Sequence, residues 1–157
     1  MLNYIKNDIL KVTNGLLVHG VNCQGAMGAG VAGAIRRKFP EVYTAFCAMK
    51  TGKHLLGQFA PVLIKEDYTE ADNFYIGNCY TQVSMGSDGK RYASPEAIEE
   101  SLTKAYKFAI QNDLEVLSLP KIGAGLGGLD WDTEVEPIVR KLSNKYDSII
   151  TNVYYID

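Results

Sequence analysis

Two clusters of glycine constrain this chain more than any other feature of its sequence. They lie at residues 25–33 and 123–128, and each follows a short apolar segment and precedes a segment with helical spacing. Glycine inside a strand or helix costs roughly 0.5–1 kcal/mol relative to alanine, so clusters of it indicate that the backbone must approach something closely. A glycine-rich turn that enters a helix exposes backbone N–H groups and the positive end of the helix dipole, which suits phosphate. Two such turns predict a site for a diphosphate.

The same clusters have a plainer interpretation as tight turns or close helix–sheet contacts, and that alternative stays open at this point. Gly28, Gly30 and Gly33 have the spacing of the dinucleotide fingerprint. That fingerprint also requires a second strand ending in an acidic residue about 20 residues later, but the sequence around Ala45–Lys50 has helical character. A Walker A loop is excluded because no Gly-Lys-Ser/Thr follows the first cluster.

Apolar segments of strand length alternate with segments of helical periodicity. The predicted strands are Leu2–Ile5 at an edge of the sheet, Gly15–Val21, Phe59–Ile64, Asn73–Cys79, Val116–Leu119 and Ser148–Ile156. The predicted helices are Val31–Phe39, Pro40 to about Lys50, Pro95 to about Asn112 with Ser94 as its N-cap, and about Asp132 to Asn144. An acidic turn is expected between the third and fourth strands, and a polar loop over Ser84–Tyr92. This order predicts an α/β domain spanning residues 1–157, with a central mixed, mostly parallel sheet and helices on both faces.

Composition narrows the choice of partners and compartment. The net charge is −2, from 16 basic and 18 acidic residues, so nothing indicates attraction to nucleic acid or to anionic lipid. The cysteines are three in number and form no C-x-x-C pair, which disfavours a disulfide framework or a zinc ribbon. No apolar segment approaches the roughly 20 residues that span a bilayer, and the N-terminus does not resemble a signal peptide. We expect a cytoplasmic monomer with no nucleic-acid or membrane partner, no cofactor and no metal.

Two segments together resemble the macro domain family. They are LVHGVNCQGAMGAGVA at residues 17–32 and LPKIGAGLGGLDW at residues 119–131. Within that family the chain is similar to the branch of ADP-ribose 1″-phosphate phosphatases and of the terminal ADP-ribose protein glycohydrolase. Asn7-Asp8-Ile9 stands where the family has its Gly-Asp-Ile adenine motif, and Tyr80-Thr81-Gln82 matches the strand end of the branch. The resemblance covers nearly the whole chain and implies a three-layer macro domain that binds ADP-ribose or ADP-ribose 1″-phosphate.

The resemblance also implies a role for individual residues. Asp8 would accept a hydrogen bond from the adenine amino group, the backbone of Ile9 would contact the ring, and Asn22 would bind the distal ribose. The residues that would wrap the diphosphate are Gly28, Ala29, Gly30 and Val31 on one side and Gly123, Ala124, Gly125, Leu126 and Gly127 on the other. Without the resemblance, Asp8 would be interpreted as a solvated turn residue and Asn22 as an ordinary loop residue.

Familiar phosphatase nucleophiles do not match this sequence. No cysteine is followed by arginine at the spacing of a cysteine-phosphatase loop, and Asp130-Trp131-Asp132-Thr133 lacks the spacing of an Asp-x-Asp nucleophile. Two histidines disfavour a histidine-based metal cluster, whereas a metal held by carboxylates stays open. The mechanism that remains is attack by a water molecule in a cleft rich in backbone donors.

Three residues are candidates for that chemistry. His19 is the best titratable candidate, with a hydrogen-bonded core histidine as the alternative. Asn22 could orient the ribose or an attacking water molecule. Asp130 is a weaker acid–base candidate and could equally cap the following helix.

The chain differs from the glycohydrolase of this branch at two positions. The glycohydrolase uses a lysine nucleophile at the strand end and an aspartate in the second loop, where this chain has Gln82 and Gly127. Glutamine cannot form the Schiff-base-type intermediate for which a lysine amine is suited. The leading hypothesis is therefore an ADP-ribose 1″-phosphate phosphatase. The alternatives are a non-catalytic ADP-ribose reader or sponge, and a protein de-ADP-ribosylase that uses substrate-assisted water attack.

Overall fold

The strands of the described residues form one sheet in the order β1-β6-β5-β2-β4-β3. The computed structural model describes residues 1–66, 73–86, 88 and 90–156. The strands are β1 (Leu2–Lys6), β2 (Gly15–Asn22), β3 (Phe59–Lys65), β4 (Phe74–Gln82), β5 (Val116–Leu119) and β6 (Ile150–Tyr155). The pairs β1–β6, β6–β5, β5–β2 and β2–β4 are parallel, and β3 is antiparallel to β4. The predicted mixed, mostly parallel sheet with β1 at its edge is confirmed.

Four α-helices cover the two faces of the sheet within the described ranges. They are α1 (Gly30–Lys38), α2 (Pro40–Ala48), α3 (Pro95–Gln111) and α4 (Glu136–Lys145). Alternate residues of β2 divide between two cores: Leu16 and Val18 pack with residues of α3 and α4, whereas Leu17 and Val21 pack with residues of α1 and α2. This division follows from the alternation of side chains along a strand. The predicted three-layer arrangement is confirmed.

The helix ends show which local signals determine structure. Ser94 caps α3 as predicted, because its Oγ accepts a hydrogen bond from the Ala97 amide at 3.2 Å. The predicted α-helix from about Asp132 instead begins as a wide π-helical turn over Trp131–Val135, and α4 follows it. Pro137 offers a physical reason, since it has no N–H to donate one turn back. The short 3₁₀ turns Ile9–Lys11 and Lys53–Leu55 were not predicted.

The segments that connect the strands bear on three of the predictions. The region between β2 and β3 contains α1 and α2 and no strand among the described residues, in agreement with the predicted helical character of this region. The acidic turn expected between β3 and β4 lies outside the described residues, as do Ser87 and Gly89 of the predicted polar loop. None of the described helices is long and apolar enough to cross a membrane.

Parallel pairing brings the ends of β1, β2, β4, β5 and β6 to one edge of the sheet. Residues that follow these strands therefore collect there, although they are far apart in the sequence. Asp8, Asn22, Gln82, Lys121 and Tyr155 all lie at or just beyond such ends. This edge is where a ligand site is expected in an open parallel sheet.

Candidate functional site

A cavity of about 620 Å³ opens at this edge of the sheet, between the two glycine clusters. Its volume lies in the range of about 300–1,000 Å³ that is typical of small-molecule sites. The described residues that line it are His19, Gly20, Val21, Asn22, Ala26, Met27, Gly28, Ala29, Gly30, Val31, Ala32, Thr81, Gln82, Met85, Gly86, Pro120, Lys121, Ile122, Gly123, Gly125, Leu126 and Gly127. The first loop, 22–30, leads from β2 into α1, and the second loop, 120–130, follows β5. The prediction that both clusters border one cleft agrees with this geometry.

Hydrogen bonds from the side chain of Asn22 fix the conformation of the first loop. Its Oδ1 accepts hydrogen bonds from the amides of Gln24 at 3.0 Å and Ala26 at 3.3 Å, and its Nδ2 donates to the Ala26 carbonyl at 2.7 Å. Nδ2 also lies 3.5 Å from the sulfur of Met85. Asn22 is 6% exposed and lines the cavity, so its carboxamide sets the shape of the loop. The contact to the distal ribose stays a prediction, and it would have to share these groups.

The first loop presents the N-terminus of α1 to the cavity. Ala29 is the N-cap and contributes no side-chain hydrogen bond, and within the described part of the chain the amides of Gly30, Val31 and Ala32 have no acceptor. Unpaired amides at a helix N-terminus form a ready anion site. Gly33 allows α1 to lie close against the loop, because a Cβ there would be 2.9 Å from the carbonyl of Gly28.

The second loop presents another set of amides. Those of Gly125, Leu126 and Gly127 have no acceptor among the described residues. The carbonyl of Gly127 accepts hydrogen bonds from the amides of Tyr92 and Ala93 at 2.8 and 3.0 Å, which fixes the loop against the segment before α3. Across the cavity, Cδ1 of Leu126 lies 4.0 Å from the position that a Cβ on Gly30 would take. The two sets of amides therefore border the same space.

The glycines of the second loop have two different functions. Gly128 has a φ of 78°, and a Cβ there would lie 2.1 Å from the carbonyl oxygen of Lys90, so the fold itself requires glycine. Gly125 has no positive φ, and a Cβ there would meet nothing within 4 Å. A Cβ on Gly28 in the first loop would also meet nothing within 4 Å. Packing does not explain glycine at Gly28 and Gly125, whereas a ligand close to the backbone would.

His19 lies in the floor of the cavity and is only 1% exposed. Its Nε2 lies 2.6 Å from Oδ1 of Asn78, its register partner on β4. Burial lowers the pKa of His19 to about 4, although the hydrogen bond to Asn78 acts in the opposite direction. The ring is therefore neutral at pH 7. With Oδ1 of Asn78 as acceptor, Nε2 carries the proton and the buried Nδ1 is an acceptor, for which no described residue supplies a donor.

Charged side chains are scarce around the cavity. Among its described lining residues, Lys121 is the only lysine or arginine, and aspartate and glutamate are absent. Gln82 holds the end of β4 by donating from Nε2 to the carbonyl of Ser84 at 2.8 Å. The described residues also contain no group of three or more histidine, cysteine, aspartate or glutamate residues that could hold a metal. The backbone amides without acceptors are therefore the polar groups that both glycine clusters contribute to this lining.

Four of the predicted residues do not line the cavity: Asp8, Ile9, Ala124 and Asp130. Oδ1 of Asp8 accepts a hydrogen bond from the Leu10 amide at 2.9 Å and caps a 3₁₀ turn, and Ile9 is buried in the core. Oδ2 of Asp130 accepts from Oγ1 and the amide of Thr133 at 2.6 and 2.9 Å. These bonds hold the pKa of Asp130 below its ordinary value. The capping alternative for Asp130 matches the observed contacts, and the acid–base alternative does not.

Sequence reasoning missed several lining residues. Lys121 stands between a strand and a glycine cluster, so its position was a usable signal. Met85 and Gly86 belong to the segment after β4, and no sequence pattern connects that segment with the first loop. Their proximity depends on the pairing of β2 with β4.

Comparisons with known proteins agree with the fold. The profile described as Macro domain matches residues 18–138. An ADP-ribose 1″-phosphate phosphatase of Meyerozyma guilliermondii is 30% identical, over 99% of this chain and 98% of that protein. A DNA ADP-ribosyl glycohydrolase of Mycobacterium tuberculosis is 29% identical over 88% of this chain, but the match spans 38% of that protein.

Two solved structures share the fold. The macrodomain of Mycobacterium tuberculosis DarG has a TM-score of 0.80 and 24% identity, and the match covers 98% of this chain and 97% of that one. Thermosipho africanus DarTG, solved in complex with ADP-ribose, has a TM-score of 0.76 and 21% identity over 99% of this chain and 42% of that one.

The burial of His19 predicts a specific pH dependence of stability. Since its pKa is about 4 in the folded protein and about 6.5 in the unfolded chain, only the unfolded chain takes up this proton between those values. The free energy of unfolding should therefore fall as the pH falls, by about 2 kcal/mol from pH 7 to pH 5. Denaturant titrations of wild type, His19→Gln and His54→Gln at several pH values would measure this change in the free energy of unfolding. We expect this slope to disappear in His19→Gln and to persist in His54→Gln, because His54 is exposed. Equal slopes in all three proteins would contradict the assignment.

Proposed function

The chain belongs to the macro domain family, and from that premise we propose that it binds ADP-ribose 1″-phosphate and hydrolyses the terminal phosphate to give ADP-ribose. The observation that carries the proposal is that two sets of amides without acceptors among the described residues belong to residues lining one cavity of about 620 Å³. A relative named as an ADP-ribose 1″-phosphate phosphatase, which aligns with this chain over nearly the full length of both proteins, supports the choice of substrate.

Binding would depend on the diphosphate. The N-terminal amides of α1 and the amides of Gly125, Leu126 and Gly127 would each donate to phosphate oxygens. These donors add no net charge, and the described lining has no carboxylate to repel the ligand. Open space at Gly28 and Gly125 would admit phosphate oxygens close to the backbone.

Hydrolysis would proceed by attack of a water molecule on the terminal phosphorus. The bond between phosphorus and the ribose 1″ oxygen breaks, and that oxygen leaves with the electron pair and takes up, directly or through solvent, the proton that the attacking water releases. The bound diphosphate would fix the terminal phosphoryl group beside Asn22, and the loop amides would stabilise the charge that develops.

His19 has a restricted role in this scheme. A group with a pKa of about 4 is almost entirely unprotonated at pH 7, so His19 is unsuited to donate a proton to the leaving oxygen. The role that fits its chemistry is to accept a hydrogen bond from the attacking water through Nδ1. Because Nδ1 is buried, that contact requires a small rearrangement of the cavity floor.

A second candidate function is a non-catalytic ADP-ribose reader. The observation that favours it is the chemistry of the lining, in which the described residues include no carboxylate and a histidine of low basicity. A glycohydrolase is less well supported, since Gln82 stands where the resemblance places the lysine nucleophile. Substrate-assisted de-ADP-ribosylation would use the same cavity and is an outcome that the assays below can detect.

The open space at Gly125 predicts an effect on binding without an effect on folding. Replacing Gly125 with Val should weaken ADP-ribose binding at least tenfold, because the branched side chain would enter the space assigned to phosphate oxygens. Its φ is not positive, so we expect the thermal midpoint to change little. Calorimetric titration and thermal unfolding would measure the two quantities. Normal binding by this variant would mean that the second loop is only a structural turn.

The adenine contact assigned to Asp8 can be tested with a variant that keeps the local cap. Serine also caps helical turns, but its shorter side chain would not reach the ligand. Asp8→Ser should weaken ADP-ribose binding by about 1.5–3 kcal/mol, the range for a hydrogen bond to a charged group. Asp130→Ser is the matched control, because Asp130 also caps a helical turn and no contact with adenine is assigned to it. Equal affinities of wild type and Asp8→Ser would remove Asp8 from the site.

The reaction itself is tested by phosphate release from ADP-ribose 1″-phosphate, with and without added magnesium. We expect release without added metal, and a rate lowered roughly 10²–10⁴-fold in His19→Ala if the ring assists proton transfer. ADP-ribose affinity should then be nearly unchanged, and the thermal midpoint reports any loss of folding. Matched losses of rate and affinity would make His19 a structural residue. Tight ADP-ribose binding without any phosphate release would favour the reader, and release of ADP-ribose from a modified protein would favour the glycohydrolase.

A further inference from the structure

The cavity has a single cationic side chain among its described lining residues, that of Lys121. The chain as a whole carries a net charge of −2, so its overall field does not attract an anion. A diphosphate is dianionic, and backbone amides supply partial charges only. Among the described lining residues, Lys121 is therefore the one whose side chain can offer a full positive charge to an anionic ligand.

Lys121 lies just beyond the end of β5. Leu119 of β5 pairs with Val153 of β6, and Lys121 and Tyr155 each lie two residues further along. Nζ of Lys121 is 5.4 Å from the centroid of the Tyr155 ring. The side chain is exposed, and no described carboxylate forms an ion pair with it.

The contact between the Lys121 ammonium group and the Tyr155 ring is a weak one. A lysine over an aromatic ring at an exposed site gains little, and its four-carbon stem rotates freely. A carboxylate partner would hold the ammonium group and neutralise it, but Lys121 has none among the described residues. The ammonium group can therefore leave Tyr155 at little cost when an anion enters the cavity.

We propose that Lys121 is a specificity-determining residue of this site, which moves from the Tyr155 ring to the diphosphate of the bound ligand. This inference rests on the proposed binding of ADP-ribose derivatives. The amides of the two loops give the diphosphate its geometry, and Lys121 gives the cavity its preference for anionic charge.

The position of Lys121 in the sheet indicates which part of the ligand it serves. Lys121 follows β5 and Tyr155 is the last residue of β6, on the β1 side of the sheet, whereas Asn22 and Gln82 are the last residues of β2 and β4. The terminal phosphate is assigned to the Asn22 side. Lys121 therefore acts on the diphosphate during binding, and it does not contact the phosphoryl group that reacts.

The test is calorimetric titration with ADP-ribose at low and high salt. Lys121→Gln should weaken binding about fivefold at low salt, as for an exposed ion pair, and the difference from wild type should shrink as salt screens the charge. Lys121→Arg should restore most of the affinity. Lys145→Gln is the matched control, since Nζ of Lys145 also lies over a tyrosine ring, 5.6 Å from the centroid of Tyr146, on a helix whose residues do not line the cavity.

The outcomes separate this inference from the proposed function. Failure of wild type to bind ADP-ribose would overturn both. Normal wild-type binding, with Lys121→Gln equal to Lys145→Gln at every salt concentration, would overturn the role of Lys121 and leave the proposed function standing. Arginine as weak as glutamine would show that shape and not charge matters, and would also overturn it. In phosphate release, Lys121→Gln should raise KM and leave kcat unchanged, and a loss confined to kcat would contradict its placement at the diphosphate.

Discussion

The parallel pairing of β2 with both β4 and β5 is the constraint on which the rest of this structure depends. It places β2 inside the sheet, where helices cover both faces, and Leu16 and Leu17 are therefore both completely inaccessible although they point in opposite directions. It also brings the ends of all three strands to one edge. The first loop, the second loop and the segment after β4 meet there because these strands share a direction, and the cavity between them follows from that arrangement.

A cavity lined by loop backbone can bind a ligand through backbone amides only if those amides have no acceptor within the protein. Backbone donors are normally paired when they are buried, so unpaired amides at the cavity are available to a ligand. The side chain of Asn22 makes this possible in the first loop, since its hydrogen bonds to Gln24 and Ala26 hold the turn and leave the N-terminus of α1 open. In the second loop, Gly128 sets the chain direction with a positive φ, and Gly125 leaves space above the backbone.

The described lining of the site contains few charged side chains. Burial keeps His19 neutral at pH 7, and the described lining contains no carboxylate. Lys121 is the only lysine or arginine among the described lining residues, and its side chain is exposed to solvent. This distribution of charge explains how a chain with a net charge of −2 can offer a site for an anionic ligand.

The sequence by itself determined the order of strands and helices, the Ser94 cap, the three-layer arrangement and the two loops that border the cavity. These follow from periodicity, capping residues and glycine clusters, which are local signals that act within a few residues. Only the tertiary structure decided the surroundings of each side chain. It placed His19 beside Asn78 in a buried floor, assigned the carboxylate of Asp130 to a helix cap, and brought Met85 and Lys121 to the same cavity. Burial and long-range pairing depend on residues far apart in the chain, and no local pattern encodes them.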